Sequence, residues 1–292
     1  AASDYAGTFE LTVSVQSRDG EDTATTTAIL EVTFDPVQDE DEVIWDPNED
    51  GVIETGSGSD TVGGNDGDDT ISTNAGNDTI WAGNGDDVVY AGDGDDSVTG
   101  DGGNDTIYGG GGNDTLHGGE GRNTIDGGTG NDYITGGSDR DTIRSSAGDN
   151  IVYASEGRSD DTILGGDGDN YVSAGEGRNE ITTGSGDDSI LAGSGNDTIS
   201  AGDGDNYINV GEGKNTITSG AGDDTVITGS SDDVIDAGDG NNTVTGGEGR
   251  NTIDTGSGDD TITTGSDKDT ISAGAGNDNI DAGDGHNTVW GG

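Results

Sequence analysis

Gly109-Gly110-Gly111-Gly112-Asn113-Asp114-Thr115-Leu116-His117 is one instance of a nine-residue unit that recurs from Gly56 onward. With Gly109 as position one, position six falls at Asp60, Asp69, Asp78, Asp87, Asp96, Asp105, Asp114, Asn123, Asp132, Asp141 and Asn150. The next interval is eleven residues, through Glu156, Gly157, Arg158 and Ser159. The phase then holds to Asn287, with aspartate at Asp161, Asp188, Asp197, Asp224, Asp233, Asp260, Asp269 and Asp278. Asparagine replaces it at Asn170, Asn179, Asn206, Asn215, Asn242, Asn251 and Asn287. Two residues after each of these 26 positions stands one aliphatic side chain, Val62, Ile71 and Ile80 through Ile280 and Val289. Only Leu116 among them is not β-branched.

Such repetition overrides what composition alone suggests. The 292 residues carry 62 acids and 9 bases, a net charge of -53, with 25% hydrophobic residues. That profile matches an unfolded acidic chain. An unfolded chain, however, has no reason to hold 26 aliphatics in phase. The composition does exclude a conventional layered core for most of the chain. It excludes a nucleic-acid binder, which needs a basic face, and attraction to an anionic membrane surface. No apolar run approaches the ~18 residues that cross a bilayer as a helix. The lack of Cys removes disulfides, thiolate metal sites and thiol nucleophiles. Ala1 to Asp4 lack the basic and apolar regions of a secretory leader, so any targeting signal is expected outside this sequence.

Glycine permits the positive φ of a tight turn. The triplet around each aliphatic reads as a three-residue strand with its middle side chain inward. One short strand closes no core, so two repeats make a flattened coil and the coils stack. The expectation is an all-β parallel β-roll, a β-solenoid of about 13 coils and about 60 Å at the ~4.8 Å strand spacing. Its thin double row of Val and Ile faces the net -40 of residues 51–292, from 48 acids and 8 bases. A cation is needed between the turns. Position six offers a carboxylate and the turn offers bare carbonyls, the oxygen donors that Ca2+ takes in sixes to eights. Softer metals are disfavoured by the missing Cys and only two His.

Gly109 to His117 matches G-G-x-G-x-D-x-U-x in full, and over about residues 55–292 the sequence resembles the RTX, or haemolysin-type calcium-binding, repeat family. The resemblance implies ions lying between a turn and the turn two repeats later on the same edge, with the seventeen position-six aspartates as ligands. Up to about 24 Ca2+ would fit that arrangement. It also implies a secreted or cell-surface protein of a Gram-negative bacterium, exported by type I secretion. The C-terminal secretion signal usual in the family does not occur in this sequence. From Asn170 the order Asn, Asn, Asp, Asp recurs every 36 residues, so each edge alternates Asn and Asp. Asn-containing gaps are expected to bind more weakly than gaps such as Asp60/Asp78, Asp78/Asp96 and Asp69/Asp87.

Other residues read as surface. Arg122, Arg140, Arg178, Lys214, Arg250, Lys268 and His286 occupy position five, and four of them follow Glu120, Glu176, Glu212 or Glu248 by two residues. Charge balancing within an exposed turn accounts for this; a recognition row for an anionic surface or sugar is the sharper alternative. Trp81, Tyr90, Tyr108 and Tyr153 at position nine, and Tyr133, Tyr171 and Tyr207 at position seven, should point outward and pack over neighbouring coils, or else stack on carbohydrate. Thr stands at position seven in 16 repeats, as in Thr216-Ile217-Thr218 and Thr261-Ile262-Thr263, which resembles the ladders of ice-binding solenoids. The mixed position nine breaks that lattice. His117 and His286 are too far apart for a triad or zinc motif, and Asp86-Asp87 reads as a calcium turn rather than an acid/base pair.

Residues 1–38 differ from the rest. Phe9, Leu11, Val13 and Val15 alternate with polar residues as a half-buried strand. Arg18-Asp19-Gly20 signals a turn, Thr25 to Phe34 a second strand, and Asp35-Pro36-Val37 its end. This segment weakly resembles the end of a cadherin-like or bacterial Ig-like domain, or serves as an N-terminal cap. Residues 39–54 read as an acidic linker with Val43, Ile44 and Trp45 anchoring the first coil, and 55–292 as the β-roll. The sequence ends two residues into a repeat, so truncation, continuation into further domains, or end-to-end self-association into a filament is expected. The expected function is a non-enzymatic, calcium-binding structural or adhesive segment. Alternatives are a ligand-binding surface for ice or polysaccharide, a non-catalytic module of a secreted enzyme, and a filament subunit.

Overall fold

The computed structural model of the chain describes residues 8–16, 25–33, 41–46, 50–155 and 157–292. Strands β1 (Thr8–Gln16) and β2 (Thr25–Thr33) pair antiparallel, Thr8 opposite Thr33 and Gln16 opposite Thr25. They are the two strands expected from the alternation. The Arg18-Asp19-Gly20 turn and the Asp35-Pro36-Val37 stop lie outside the described residues.

From β3 (Val43–Trp45) and β4 (Val52–Glu54) onward, successive strands alternate between two parallel sheets of 14 strands each. Every two strands complete one coil, so this is a β-solenoid of about 14 coils. The strict repeat counts one coil fewer, because Glu42 and Gly51 replace the position-six Asp of the first coil. The sheets nevertheless keep its register: Ile44 sits opposite Val62, and Ile53 opposite Ile71. Val43 to Trp45 is thus a strand of the solenoid as well as an anchor.

The core is one row of aliphatics per sheet. Ile107 stacks between Val89 and Ile125, and Leu116 between Val98 and Ile134, all fully or almost fully buried. Neighbours in each row lie 18 residues apart, and backbone bonds join the same successive coils: the Thr106 amide donates to the Asp87 carbonyl at 2.8 Å and the Thr124 amide to Asp105 at 2.8 Å. Position one forms a second buried row that sequence reading missed. It holds Ala82, Ala91, Ala154, Ala174 and Val210, and also Thr73, Ser145, Thr183 and Ser219. Most hydroxyls bond within the row, Thr264 excepted; Thr73 donates to the Ala91 carbonyl at 2.8 Å and Thr183 to Ala201 at 2.7 Å.

The eleven-residue interval leaves the sheets in register. Thr142 pairs with Thr162 and Ile143 with Ile163, twenty residues on, and the surplus goes into the turn around exposed Arg158. Position four is glycine in most turns, and where Asp139, Ser231 or Asp267 stands there the backbone still takes a positive φ. Gly112 has φ +135°, and a Cβ there would strike the Gly94 carbonyl of the coil below. The close carbonyl and the positive φ favour glycine at this corner.

The outward aromatics pack on one another along the stack. Tyr90 and Tyr108 are parallel at 4.9 Å. Trp45 and Trp81, two coils apart, stack at 5.9 Å across Gly63, whose missing side chain makes room for the Trp45 ring.

Candidate metal centre

Each position-six residue lies between the glycine turn and the strand. Its backbone amide donates to the side-chain Oδ1 of the next position six on the same edge. On one edge the ladder runs from Asp60 to Asp78 (2.7 Å), Asp78 to Asp96 (2.8 Å), Asp96 to Asp114 (2.9 Å) and Asp114 to Asp132 (3.0 Å). On the other it runs from Asp69 to Asp87 (2.8 Å), Asp87 to Asp105 (2.9 Å), and on through Asn123 to Asp141 (2.8 Å) and Asp161 (2.8 Å). Beyond the eleven-residue interval the first edge continues through Asp188, Asp224 and Asp260 and the second through Asp197, Asp233 and Asp269. All seventeen candidate aspartates stand on these two edges. Sixteen are buried, and Asp278 in the last turn of its edge is half-buried.

The second carboxylate oxygen has no such partner. Oδ2 is buried and without a hydrogen bond in fourteen of them, Asp60 through Asp114, Asp132, Asp141, Asp188, Asp197, Asp224, Asp233 and Asp269. In Asp161 it accepts from Ser159, and in Asp260 from Thr255. This oxygen points at position one of its own repeat. A Cβ on Gly109 would collide with both Asp114 Oδ2 and the Gly127 carbonyl; one on Gly100 would meet Asp105 Oδ2 and the Gly118 carbonyl. In these glycine turns carboxylate oxygen and carbonyl oxygen face the same small space, whereas at Asp78, Asp188, Asp224 and Asp233 the position-one hydroxyl of Thr73, Thr183, Ser219 or Thr228 lies beside the carboxylate.

Burying an ionised carboxylate without a partner is costly. Burial pushes Asp87, Asp105, Asp114, Asp197 and Asp224 up to about 6, against 3.8 ordinarily, and Asp96 and Asp141 up to about 7. The backbone N–H on Oδ1 pulls the other way, and neighbouring carboxylates such as Asp114 beside Asp96 add to the rise. Asp69, Asp78, Asp132, Asp161, Asp188 and Asp233 move in the same direction for the same first cause.

The residues fit a hard cation. Among the described residues no three Asp, Glu, His or Cys side chains gather at one point, so carboxylates alone hold no ion. Any ion must complete its shell with backbone oxygens, which suits Ca2+.

The exposed position-five residues form a separate ladder. Asp86 accepts from the Asn104 amide at 2.7 Å, and Asn104 from the Arg122 amide at 3.0 Å. The bases pair between coils rather than within a turn. Arg250 and Lys214 both reach Asp232, at 2.6 and 3.1 Å, and Glu176 takes Arg158 rather than Arg178. Glu212 and Glu248 instead accept from Ser230 and Ser266. Groups one coil apart are stacked at strand spacing, closer than groups two residues apart around a turn.

No curated protein matches the chain. A family profile does: the RTX calcium-binding nonapeptide repeat, in blocks of four copies, matches in ten overlapping or abutting segments from 54–89 to 263–292. Together they cover the solenoid from residue 54 to 292, well over half of the chain. With its orphaned carboxylates and parallel two-sheet coil, the chain belongs to the RTX calcium-binding nonapeptide repeat family.

Proposed function

We propose that the position-six aspartates, Asp60 to Asp278, are the carboxylate ligands of a row of Ca2+ ions along each edge. The carbonyls of the glycine turns complete each shell. The observation that carries this is the buried, unpartnered Oδ2 repeated in fourteen turns. Bound calcium supplies the positive charge that those oxygens and the facing carbonyls lack. Oδ1 is already committed to the backbone ladder, so each aspartate ties its turn to the coil below while offering its other oxygen to the ion.

Folding then depends on the ion. Without it, net charge of -40 over residues 51–292 opposes a core only two aliphatics wide. Such a chain stays extended where calcium is scarce and folds where it is plentiful, which suits export through a narrow channel. The reading is a stiff calcium-dependent segment of a secreted or cell-surface protein, with a structural or adhesive role. Titrating Ca2+ into the decalcified chain in a calorimeter tests it, with Mg2+ as control. Tight binding of calcium and weak binding of magnesium is expected, because magnesium keeps its waters and demands a regular octahedron. Absence of calcium binding removes the proposal.

One observation favours a second role on the same scaffold. The exposed Trp45–Trp81 stack borders a hollow with Asn65, Asp66, Asn84, Asp101 and Glu120 on its rim. Flat rings beside amide and carboxylate groups suit a neutral saccharide, and quenching of tryptophan fluorescence by oligosaccharides tests this.

A further inference from the structure

The nine position-six asparagines sit in the same place as the aspartates, but both polar atoms of each side chain are hydrogen-bonded. Each Oδ1 takes the rung of the ladder: Asn206 accepts from the Asp188 amide at 3.0 Å, Asn215 from Asp197 at 2.9 Å and Asn242 from Asp224 at 3.0 Å. That rung fixes the amide's orientation, since only an oxygen can accept there. Nδ2 is thereby turned into the space where aspartate holds its orphaned Oδ2. The correspondence is direct: the Gly118 Cα faces Asn123 Nδ2 and the Gly136 carbonyl, as Gly109 faces Asp114 Oδ2 and the Gly127 carbonyl.

In that space Nδ2 finds acceptors. Asn206 donates to the Gly204, Ser219 and Gly202 carbonyls at 3.0, 3.2 and 3.4 Å. Asn242 reaches Gly238, Gly240 and Thr255 at 3.2 to 3.3 Å. Asn123, Asn150, Asn170, Asn179, Asn215, Asn251 and Asn287 each donate to at least one such carbonyl. These acceptors are positions one, two and four of the same turn and position one of the next coil. They are the carbonyls that an ion beside an aspartate would use.

We infer that the asparagine turns are closed without metal: the carboxamide takes the cation's place, and calcium follows the aspartates. This rests on the calcium reading above and assigns its sites turn by turn. A neutral amide removes the buried negative charge and supplies N–H donors to the carbonyls, which are the two things the ion does in an aspartate turn. The chain then takes one ion per aspartate turn, seventeen in all, whose +34 stands against the -40 of residues 51–292. The distribution is uneven. Nine of eleven turns are aspartate from Asp60 to Asn150, against eight of fifteen from Asp161 to Asn287. The second stretch needs less calcium to fold, which reverses the order expected from ligand charge alone.

Equilibrium dialysis of the full chain against saturating Ca2+ is the test. The natural chain is expected to hold about seventeen ions. Replacing four amides, Asn206→Asp, Asn215→Asp, Asn242→Asp and Asn251→Asp together, adds four ions. The converse set, Asp188→Asn, Asp197→Asn, Asp224→Asn and Asp233→Asn, removes four and leaves the β-structure in calcium intact. Hydrogen exchange along a calcium titration gives a second readout: amides in 170–290 become protected at lower calcium than those in 60–114, and the Asn→Asp set abolishes that lead. A natural stoichiometry near 24, or variants that leave the number of ions unchanged, overturns the assignment. A chain that binds no calcium overturns the reading beneath it instead, and dialysis of the natural chain separates the two failures.

Discussion

Protons should substitute for calcium at the same oxygens. Seven position-six carboxyls rise to about 6 or 7 in the fold, against 3.8 ordinarily. The folded chain therefore binds more protons than the unfolded chain between about pH 4 and pH 7, and stability of the metal-free fold rises as pH falls through that window. Lowering the pH from 7.5 to 5.5 loads roughly five protons onto these seven groups in the fold and almost none in the unfolded chain. Treated independently, that uptake favours the fold by at most about 8 kcal/mol, and solvent screening and coupling between stacked neighbours lower it. Such a gain is comparable to the whole stability of a small domain. Circular dichroism in EDTA between pH 7.5 and 5.5, above the sequence pI of about 4.1, should show β-structure growing as the pH falls. Calcium affinity should fall over the same range, because proton and ion compete for Oδ2. Loss of β-structure on acidification, or calcium affinity unchanged from pH 7.5 to 5.5, would refute the claim that these buried oxygens are what the ion satisfies.

Three further outcomes follow from the packing. Ile107→Ala opens a cavity between Val89 and Ile125 and should cost about 2–5 kcal/mol in guanidinium unfolding at saturating calcium. Gly112→Val places a branched side chain at φ +135° against the Gly94 carbonyl, and hydrogen exchange should show opening confined to the coils around residues 94–130. Asp232→Ala removes a half-buried surface carboxylate that Arg250 and Lys214 share; the thermal midpoint in calcium should move little.

What could be read from the sequence was whatever obeys a strict period. The aliphatic at position eight marks both strand and inward face, so the two sheets, their parallel order and the core rows were legible from Val62 to Val289 alone. The first coil was not, because Glu42 and Gly51 break the motif while Ile44 and Ile53 keep the packing. Position one was missed for a related reason. Gly100, Ala82 and Thr73 share no chemistry, only a size small enough to admit the carboxylate of their own repeat. The alignment of residues at position six was visible, but the unequal fate of their two oxygens was not. One oxygen is consumed by an amide 18 residues earlier and the other is left against carbonyls, and only the stacked backbone shows that division. Asp and Asn looked like strong and weak versions of one ligand; in the fold, the amide nitrogen of Asn206 is a donor where the oxygen of Asp114 is an orphan. The bases were paired with the wrong acids because two residues around a turn are farther apart than 18 residues up the stack.

Small-angle X-ray scattering of the full chain at pH 7.5, with millimolar calcium and then with EDTA, tests the central claim most directly. With calcium, the solenoid portion should scatter as a rod of about 60–65 Å, the length of 14 strands at ~4.8 Å spacing. In EDTA the same chain should expand to the profile of an unfolded polypeptide and return to the rod when calcium is restored. A rod of unchanged length in EDTA at this pH would contradict the account, since the aliphatic rows would then hold the coils together with the buried carboxylates unneutralised.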